Sequence, residues 1–244
     1  MPTGPKPSSS DHYIGRFAPS PTGPLHFGSL VSALASFLDA RAQQGRWLLR
    51  MEDLDPPREV PGAADSILRS LDEHGLHWDE QVLYQSSRLE AYQALIDSLR
   101  AHQLAYECDC SRARINQLQG IYDGHCKTRT EVGSPRATRL RIEEHSTQSF
   151  QDLVQGPYSQ DLNRDVGDFI ILRKDGLVAY QLAVVADDIE QGITHIIRGS
   201  DLLDSSPRQA YLFQVLKSAT PHFGHIPVAA NADGQKLSKQ NHAP

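Results

Sequence analysis

Cysteine is scarce in this 244-residue chain, and the three present all fall between Cys108 and Cys126. An odd, clustered set with no secretory context argues against a disulfide framework. Long apolar runs are missing too: nothing approaches the ~20 residues that a membrane span needs. Positive charge is not in excess. A formal net charge of −6 argues against indiscriminate nucleic-acid binding, although it leaves a specific RNA face open. Met1 to Asp11 is rich in Pro and Ser and holds no apolar segment, which predicts a disordered tail rather than a signal peptide. The cytoplasm is the expected compartment, with no membrane partner.

What the chain does contain is an alternation of short apolar runs and helical spacings. Ile14-Gly15-Arg16-Phe17-Ala18 suits a buried first strand. After a break at 19–28, Leu30, Leu34, Phe37, Leu38 and Arg41 recur at helical spacing, with Ser29 near the start. Trp47-Leu48-Leu49-Arg50-Met51 reads as a second buried strand, followed by helices from about Gly62 to Gly75 and from about Arg88 to Gln103. Strand, helix, strand, helix is the pattern of a parallel α/β sheet with right-handed crossovers. The stretch 99–168 differs: it holds the cysteines and little long-range periodicity. Apolar strands are expected again at Phe169–Leu172, Val178–Ala186 and Ile193–Ile197, then a helix after Pro207. The expected organisation is a tail at 1–11 and one α/β nucleotide domain in two halves, 12–98 and 169–244. An inserted module at 99–168 separates the halves.

Two distant segments offer complementary chemistry. Pro19-Ser20-Pro21-Thr22-Gly23-Pro24-Leu25-His26-Phe27-Gly28-Ser29 is a small-residue loop with one imidazole, leading into a helix. Such a turn lets backbone N–H groups and the helix dipole approach an anion. His26 either donates to a phosphate oxygen or simply caps the helix. Lys236-Leu237-Ser238-Lys239 near the other end carries two ammonium groups that could close on phosphates from the opposite side. Cys108-Asp109-Cys110 and Cys126 supply three soft ligands, one short of tetrahedral zinc, with Tyr122, Asp123 and His125 close enough to complete the set. Spacing alone favours His125.

Several blocks together resemble glutamyl-tRNA synthetases, of the class I aminoacyl-tRNA synthetases, in the family's order. They are Arg16-Phe17-Ala18-Pro19-Ser20-Pro21-Thr22-Gly23, Leu25-His26-Phe27-Gly28, Arg50-Met51-Glu52-Asp53-Leu54-Asp55, Ile197-Arg198-Gly199-Ser200-Asp201 and Lys236-Leu237-Ser238-Lys239. The His26 block corresponds to the HIGH signature and the Lys239 block to KMSKS; Phe27 stands for the usual Ile and Gln240 for the last Ser. The resemblance implies a Rossmann-type parallel-sheet domain split by a module that meets tRNA. It also implies an ATP site at Pro19, Gly23, His26, Gly28, Ser29 and Lys239, with His26, Lys236 and Lys239 catalytic and Mg²⁺ accompanying ATP. Glutamate would meet Arg16, Phe17, Ala18, Pro19 and Ser20. Glu52 would take its α-amino group, while Tyr180 and Arg198 hold its carboxylate end. Arginine supports glutamate over glutamine, because its planar fork matches a carboxylate bidentately.

The pattern Cys-x-Cys, then Tyr, then x3-Cys is similar to one offshoot of these enzymes, the glutamyl-queuosine tRNA(Asp) synthetases. That likeness implies one structural Zn²⁺ held by Cys108, Cys110, Tyr122 and Cys126. The given chain ends at Pro244, so by the same likeness it is expected to lack anticodon-binding domains. The implied reaction is tRNA-independent activation of L-glutamate by ATP, then esterification of queuosine at the wobble position of tRNA(Asp), by a monomer. The rival expectations are a truncated glutamyl-tRNA synthetase acting on tRNA(Glu), an inactive zinc-stabilised RNA-binding paralogue, and a small-metabolite adenylyltransferase.

Overall fold

The computed structural model describes residues 13–229, so the tail expected at 1–11 lies outside the described residues. Three parallel strands begin the fold: β1 (Ile14–Phe17), β2 (Arg46–Met51) and β3 (Leu83–Tyr84), with β2 central. Ile14 faces Arg46 and Arg50 faces Leu83 across the ladders. Between β1 and β2 runs helix α1 (Phe27–Ala42), and α2 (Ala63–Glu73) and α3 (Leu89–Ala101) flank β3 in sequence. Late in the chain β9 (His195–Gly199) and β10 (His222–Ile226) form a second parallel pair. The Thr194 N–H donates to the Ile14 carbonyl at 2.9 Å, bringing β9 beside β1. The resulting order is β3, β2, β1, β9, β10. Every one of these strands points the same way, so the carboxyl ends of β1, β2 and β9 meet at one edge, where open α/β sheets place ligands.

The strands are apolar on both faces because both faces are covered. Trp47 is fully buried, edge-on to Phe37 of α1 and stacked with Phe17, and its indole N–H donates to the Ser36 hydroxyl at 2.9 Å. Ile67 and Leu71 of α2 complete that side of the core.

The middle of the chain builds different structure. Strands β4 (Ala105–Cys108) and β5 (Ala137–Leu140) pair antiparallel, with α4 (Arg112–Gln117) and the cysteine loop between them. A hairpin follows, β6 (Thr147–Asp152) with β7 (Gly156–Asp161), and then the short helix α5 (Leu162–Asp165). The strand expected at 169–172 is β8 (Ile170–Leu172), and it pairs with β5 rather than joining the parallel sheet. The antiparallel sheet thus continues past Asp168.

Val178–Ala186 is not a strand; the chain forms helix α6 (Tyr180–Glu190) there. Leu182, Ala183, Val184 and Val185 are all fully buried, as are Asp187 and Asp188 a turn later, so α6 is buried around its girth, and its short apolar run looks like a buried strand by composition alone. Helix α7 (Ser206–Val215) then packs beside α6; the helix expected after Pro207 starts one residue before it, with the proline in its first turn. No helix among the described residues is long and apolar enough to cross a membrane.

Candidate active site

A cavity of about 330 Å³ opens at the carboxyl ends of β1, β2 and β9. The end of β1 and its loop bring Arg16, Phe17, Ala18, Pro19 and Ser20 to it; the start of α1 brings His26, Gly28 and Ser29. Glu52 enters just after β2, Tyr180 from the first turn of α6, and Arg198 from β9. Residues 36 to 182 positions apart in sequence therefore share one wall. Gly23 belongs to the same loop without lining the cavity, and its φ of +129° suits glycine. Lys236 and Lys239 lie outside the described residues.

Backbone bonds fix the loop in place. The Glu52 N–H donates to the Pro19 carbonyl at 2.9 Å, and the Val60 N–H to the Pro21 carbonyl at 3.0 Å, tying the loop to the segment after β2. His26 is the N-cap of α1: its Nδ1 accepts from the Ser29 N–H at 3.2 Å. That bond leaves Nδ1 without a proton, so the neutral ring carries its hydrogen on Nε2, 3.0 Å from the Ser29 hydroxyl. The capping role left open by the sequence is therefore present, and the ring still borders the cavity. A Cβ on Gly28 would sit 3.1 Å from the His26 ring, so glycine keeps that ring where it is.

Electrostatically the cavity is built on buried ions. Arg16 meets Asp188 at 3.2 Å, while Arg50, fully buried, lies 2.8 Å from Asp188 and 3.8 Å from Glu52. Burial alone would raise the Asp188 pKa, but Arg16 and Arg50 outweigh it and hold the carboxyl below its usual range. Glu52 behaves oppositely. Burial dominates over the Arg50 and Arg16 charges and lifts its pKa to about 7. A cation arriving beside Glu52 would bring it back to the carboxylate form.

Arg198 is 4 % exposed, and burial lowers its pKa. Its Nε donates to His225 Nε2 at 3.0 Å and its Nη2 to the Ser206 hydroxyl at 2.7 Å. Its Nη1 is buried with no hydrogen-bond partner among the described residues. A buried guanidinium N–H left open beside a cavity is costly unless a ligand acceptor meets it. The cavity can therefore hold a molecule with an anionic end at Arg198 and a cationic group at Glu52.

Sequence reading did not single out Thr22 or Asp201 as site residues, yet both line the cavity. Asp201 was visible inside the Arg198 block. Asp188, His225 and Asp152, which support the two arginines, carried no local signal; only the fold brings them near.

A second constellation lies in the loop between β4 and β5. The sulfurs of Cys108, Cys110 and Cys126 lie within 4.8 Å of one another. The Tyr122 hydroxyl is 3.4 Å from the Cys108 sulfur and 3.7 Å from that of Cys110, and Cys110 and Cys126 are 3.5 Å apart. The edge of a tetrahedral zinc–sulfur site, from its ~2.3 Å bonds, is about 3.8 Å, so these separations fit such a site. His125 is not grouped with the sulfurs. Burial would raise the Cys108 pKa, but its hydrogen bond with the Tyr122 hydroxyl and the one it accepts from Arg139 Nε, at 3.2 Å, outweigh it and lower the thiol to about 7. Arg139 also stacks over the Tyr122 ring at 3.8 Å.

Residues 14–243 match the family described as tRNA synthetases class I (E and Q), catalytic domain. The chain is 56 % identical over 232 residues to a glutamyl-Q tRNA(Asp) synthetase of Pseudomonas putida, covering 95 % of this chain and 77 % of the relative. The like-named protein of Shigella flexneri is 53 % identical over 239 residues, covering 98 % and 77 %. Among solved structures, a glutamate tRNA ligase of Elizabethkingia meningosepticum in complex with its amino acid superposes with a TM-score of 0.83 at 26 % identity. That match covers 94 % of this chain and 52 % of the ligase, so the chain spans about half the length of that structure. A tyrosyl-tRNA synthetase of Archaeoglobus fulgidus, at 12 % identity and a TM-score of 0.53, shares the fold.

Proposed function

Since the chain belongs to the class I (E and Q) tRNA synthetases, and within them to the glutamyl-Q tRNA(Asp) synthetases, we propose that it activates L-glutamate with ATP and esterifies queuosine of tRNA(Asp). The observation that carries the amino-acid assignment is the opposed pair in one cavity. Arg198 offers an unpartnered Nη1, and Glu52 is poised near pH 7. A zwitterion with a side-chain carboxylate satisfies both.

In the first step the α-carboxylate of glutamate attacks the α-phosphorus of ATP in line, the bond to the β-phosphate oxygen breaks, and pyrophosphate leaves. This needs no tRNA. Such chemistry rests on positioning and charge stabilisation rather than on a covalent enzyme group. The loop of Pro19 and Gly23, with Gly28 and Ser29 at the start of α1, receives the nucleotide. His26 Nε2–H serves the phosphates, and Lys239 and, to a lesser degree, Lys236 are assigned to the same task. Mg²⁺ accompanies ATP. Arg16, Ser20 and the backbone of Phe17 and Ala18 border the amino acid, Glu52 takes its ammonium, and Tyr180 and Arg198 hold its side-chain carboxylate. In the second step a hydroxyl of the cyclopentenediol of queuosine, at the wobble position, attacks the adenylate carbonyl and AMP leaves.

Cys108, Cys110, Tyr122 and Cys126 would hold one Zn²⁺. Four protein ligands leave no open position, so the ion would serve structure. We assign 12–98 and 169–244 to the catalytic domain and 99–168 to the insert, acting as a monomer in the cytoplasm.

The test is transfer of labelled glutamate, with ATP, to tRNA(Asp) and tRNA(Glu) purified from cells with and without queuosine. Labelling of tRNA(Asp) only when queuosine is present is the expected result. Labelling of tRNA(Glu) regardless of queuosine would instead assign ordinary aminoacylation.

A further inference from the structure

Behind Arg198 lies a buried chain that the two-step reaction does not use. His225 of β10 is fully buried, and its Nδ1 is 2.5 Å from Asp152 Oδ2. Its Nε2 accepts from Arg198 Nε at 3.0 Å. Because Nε2 faces an N–H donor, the imidazole proton must sit on Nδ1, where it donates to Asp152. Asp152 is anchored in turn: its Oδ1 accepts from the backbone N–H groups of Val154, Gln155 and His225 at 2.8–3.0 Å. These three bonds occupy one carboxylate oxygen and leave the other to set the tautomer.

The consequence is a fork held without being neutralised. Arg16 touches a carboxylate of its own protein, Asp188. Arg198 instead touches a neutral ring and a serine hydroxyl, and its nearest acid in this chain of contacts is one imidazole away. With Nε and Nη2 occupied, Nη1 is the edge left for a ligand.

We propose that Asp152 and His225 are positioning residues that orient Arg198 for the glutamate side-chain carboxylate and thereby set the preference for glutamate over glutamine. This rests on the reading of Arg198 given above. Asp152 ends β6, inside the 99–168 segment, so the insert supplies part of the amino-acid site. The Leu153 N–H donates to the Phe223 carbonyl at 2.8 Å and Gln155 Nε2 to the His225 carbonyl at 2.6 Å, docking the hairpin turn on β10.

The experiment is glutamate-dependent ATP–pyrophosphate exchange by the full chain, with KM for glutamate and for ATP, kcat, and the glutamate/glutamine ratio of kcat/KM. Asp152→Asn keeps the oxygen that caps the turn but replaces the other with an N–H donor. His225 must then accept at Nδ1 and carry its proton on Nε2, against the Arg198 Nε–H at 3.0 Å and beside the Ser206 hydroxyl at 2.9 Å, so the bond from Arg198 Nε is lost. The expected result is a rise in KM for glutamate of roughly tenfold or more and a lower selectivity ratio, with KM for ATP unchanged. The double variant Asp152→Asn/His225→Gln should recover most of the loss, because the Gln carbonyl accepts from Arg198 whatever stands at 152. Arg198→Gln separates the two ideas. If it leaves KM for glutamate unchanged, the reading of Arg198 fails. If it raises KM while Asp152→Asn does not, the positioning role is overturned. Should the Asn variant not fold, the tautomer itself is decisive: ¹⁵N NMR of His225 showing Nε2–H in the unmodified protein would overturn the proposal, and Nδ1–H supports it.

Discussion

Glu52 carries the clearest conflict between stability and use. Its pKa of about 7, raised by burial, means that the folded protein holds a proton there that the unfolded chain has lost above its ordinary value of 4.5. Between these values the folded state binds more protons, so stability falls as pH rises through that window and stays lower above it. Glu52→Gln removes the penalty. At pH 8 we expect a Tm higher by roughly 2–4 °C, the shift that about 1 kcal/mol produces in a chain of this size. The same variant should lose glutamate activation, because an amide cannot pair with the ammonium. In the unmodified protein the ammonium needs the ionised carboxylate, so KM for glutamate should rise about tenfold from pH 8 to pH 6. A flat KM over that range would remove Glu52 from the amino-group role.

At the scale of elements, two glycines mark places where backbone geometry governs a site. Gly28 opens α1 against the His26 ring. Gly28→Ala should keep the fold yet raise KM for ATP or lower the activation rate by about tenfold, since the ring must give way; exchange kinetics would show it. Gly167 follows α5 at a φ of +71°, and a Cβ there would lie 2.4 Å from the Tyr122 carbonyl oxygen. A backbone neighbour cannot swing aside as a side-chain end can. Gly167→Ala should cost about 2–4 kcal/mol and loosen the loop that carries Tyr122. A lowered urea midpoint together with lowered bound zinc would bear this out. Helix α6 teaches the opposite lesson about legibility. Its four consecutive buried residues, 182–185, removed the polar face on which a helical period depends.

For the whole molecule, the cysteine cluster and the cavity belong to different parts of one chain. Cys110→Ser should therefore abolish zinc binding and lower the melting transition while retaining part of glutamate-dependent exchange. Metal analysis beside exchange kinetics checks this. Equal loss of both would mean that the insert and the sheet unfold together. The hairpin β6–β7 sets a limit on that separation, because Asp152 reaches from the 99–168 segment to β10.

Much of this protein was determined by local sequence. The strand-loop-helix at 14–42, the buried run at 47–51 and the spacing of Cys108, Cys110 and Cys126 are short-range patterns, and short-range patterns survive in one dimension. Arg16 to Ser20, His26, Gly28, Ser29, Glu52 and Arg198 were legible because motif blocks carry their chemistry and spacing together, whereas Tyr180 lies in no such block and followed only from the family resemblance. Only the tertiary structure decided what stands behind them. The pairing of Arg16 and Arg50 with Asp188, and the chain Arg198–His225–Asp152, join polar groups 27 to 172 positions apart. A buried ion declares its partner by distance in space, and sequence records no such distance. The same holds for the pKa of Glu52, which comes from being taken out of water rather than from any neighbour in the chain.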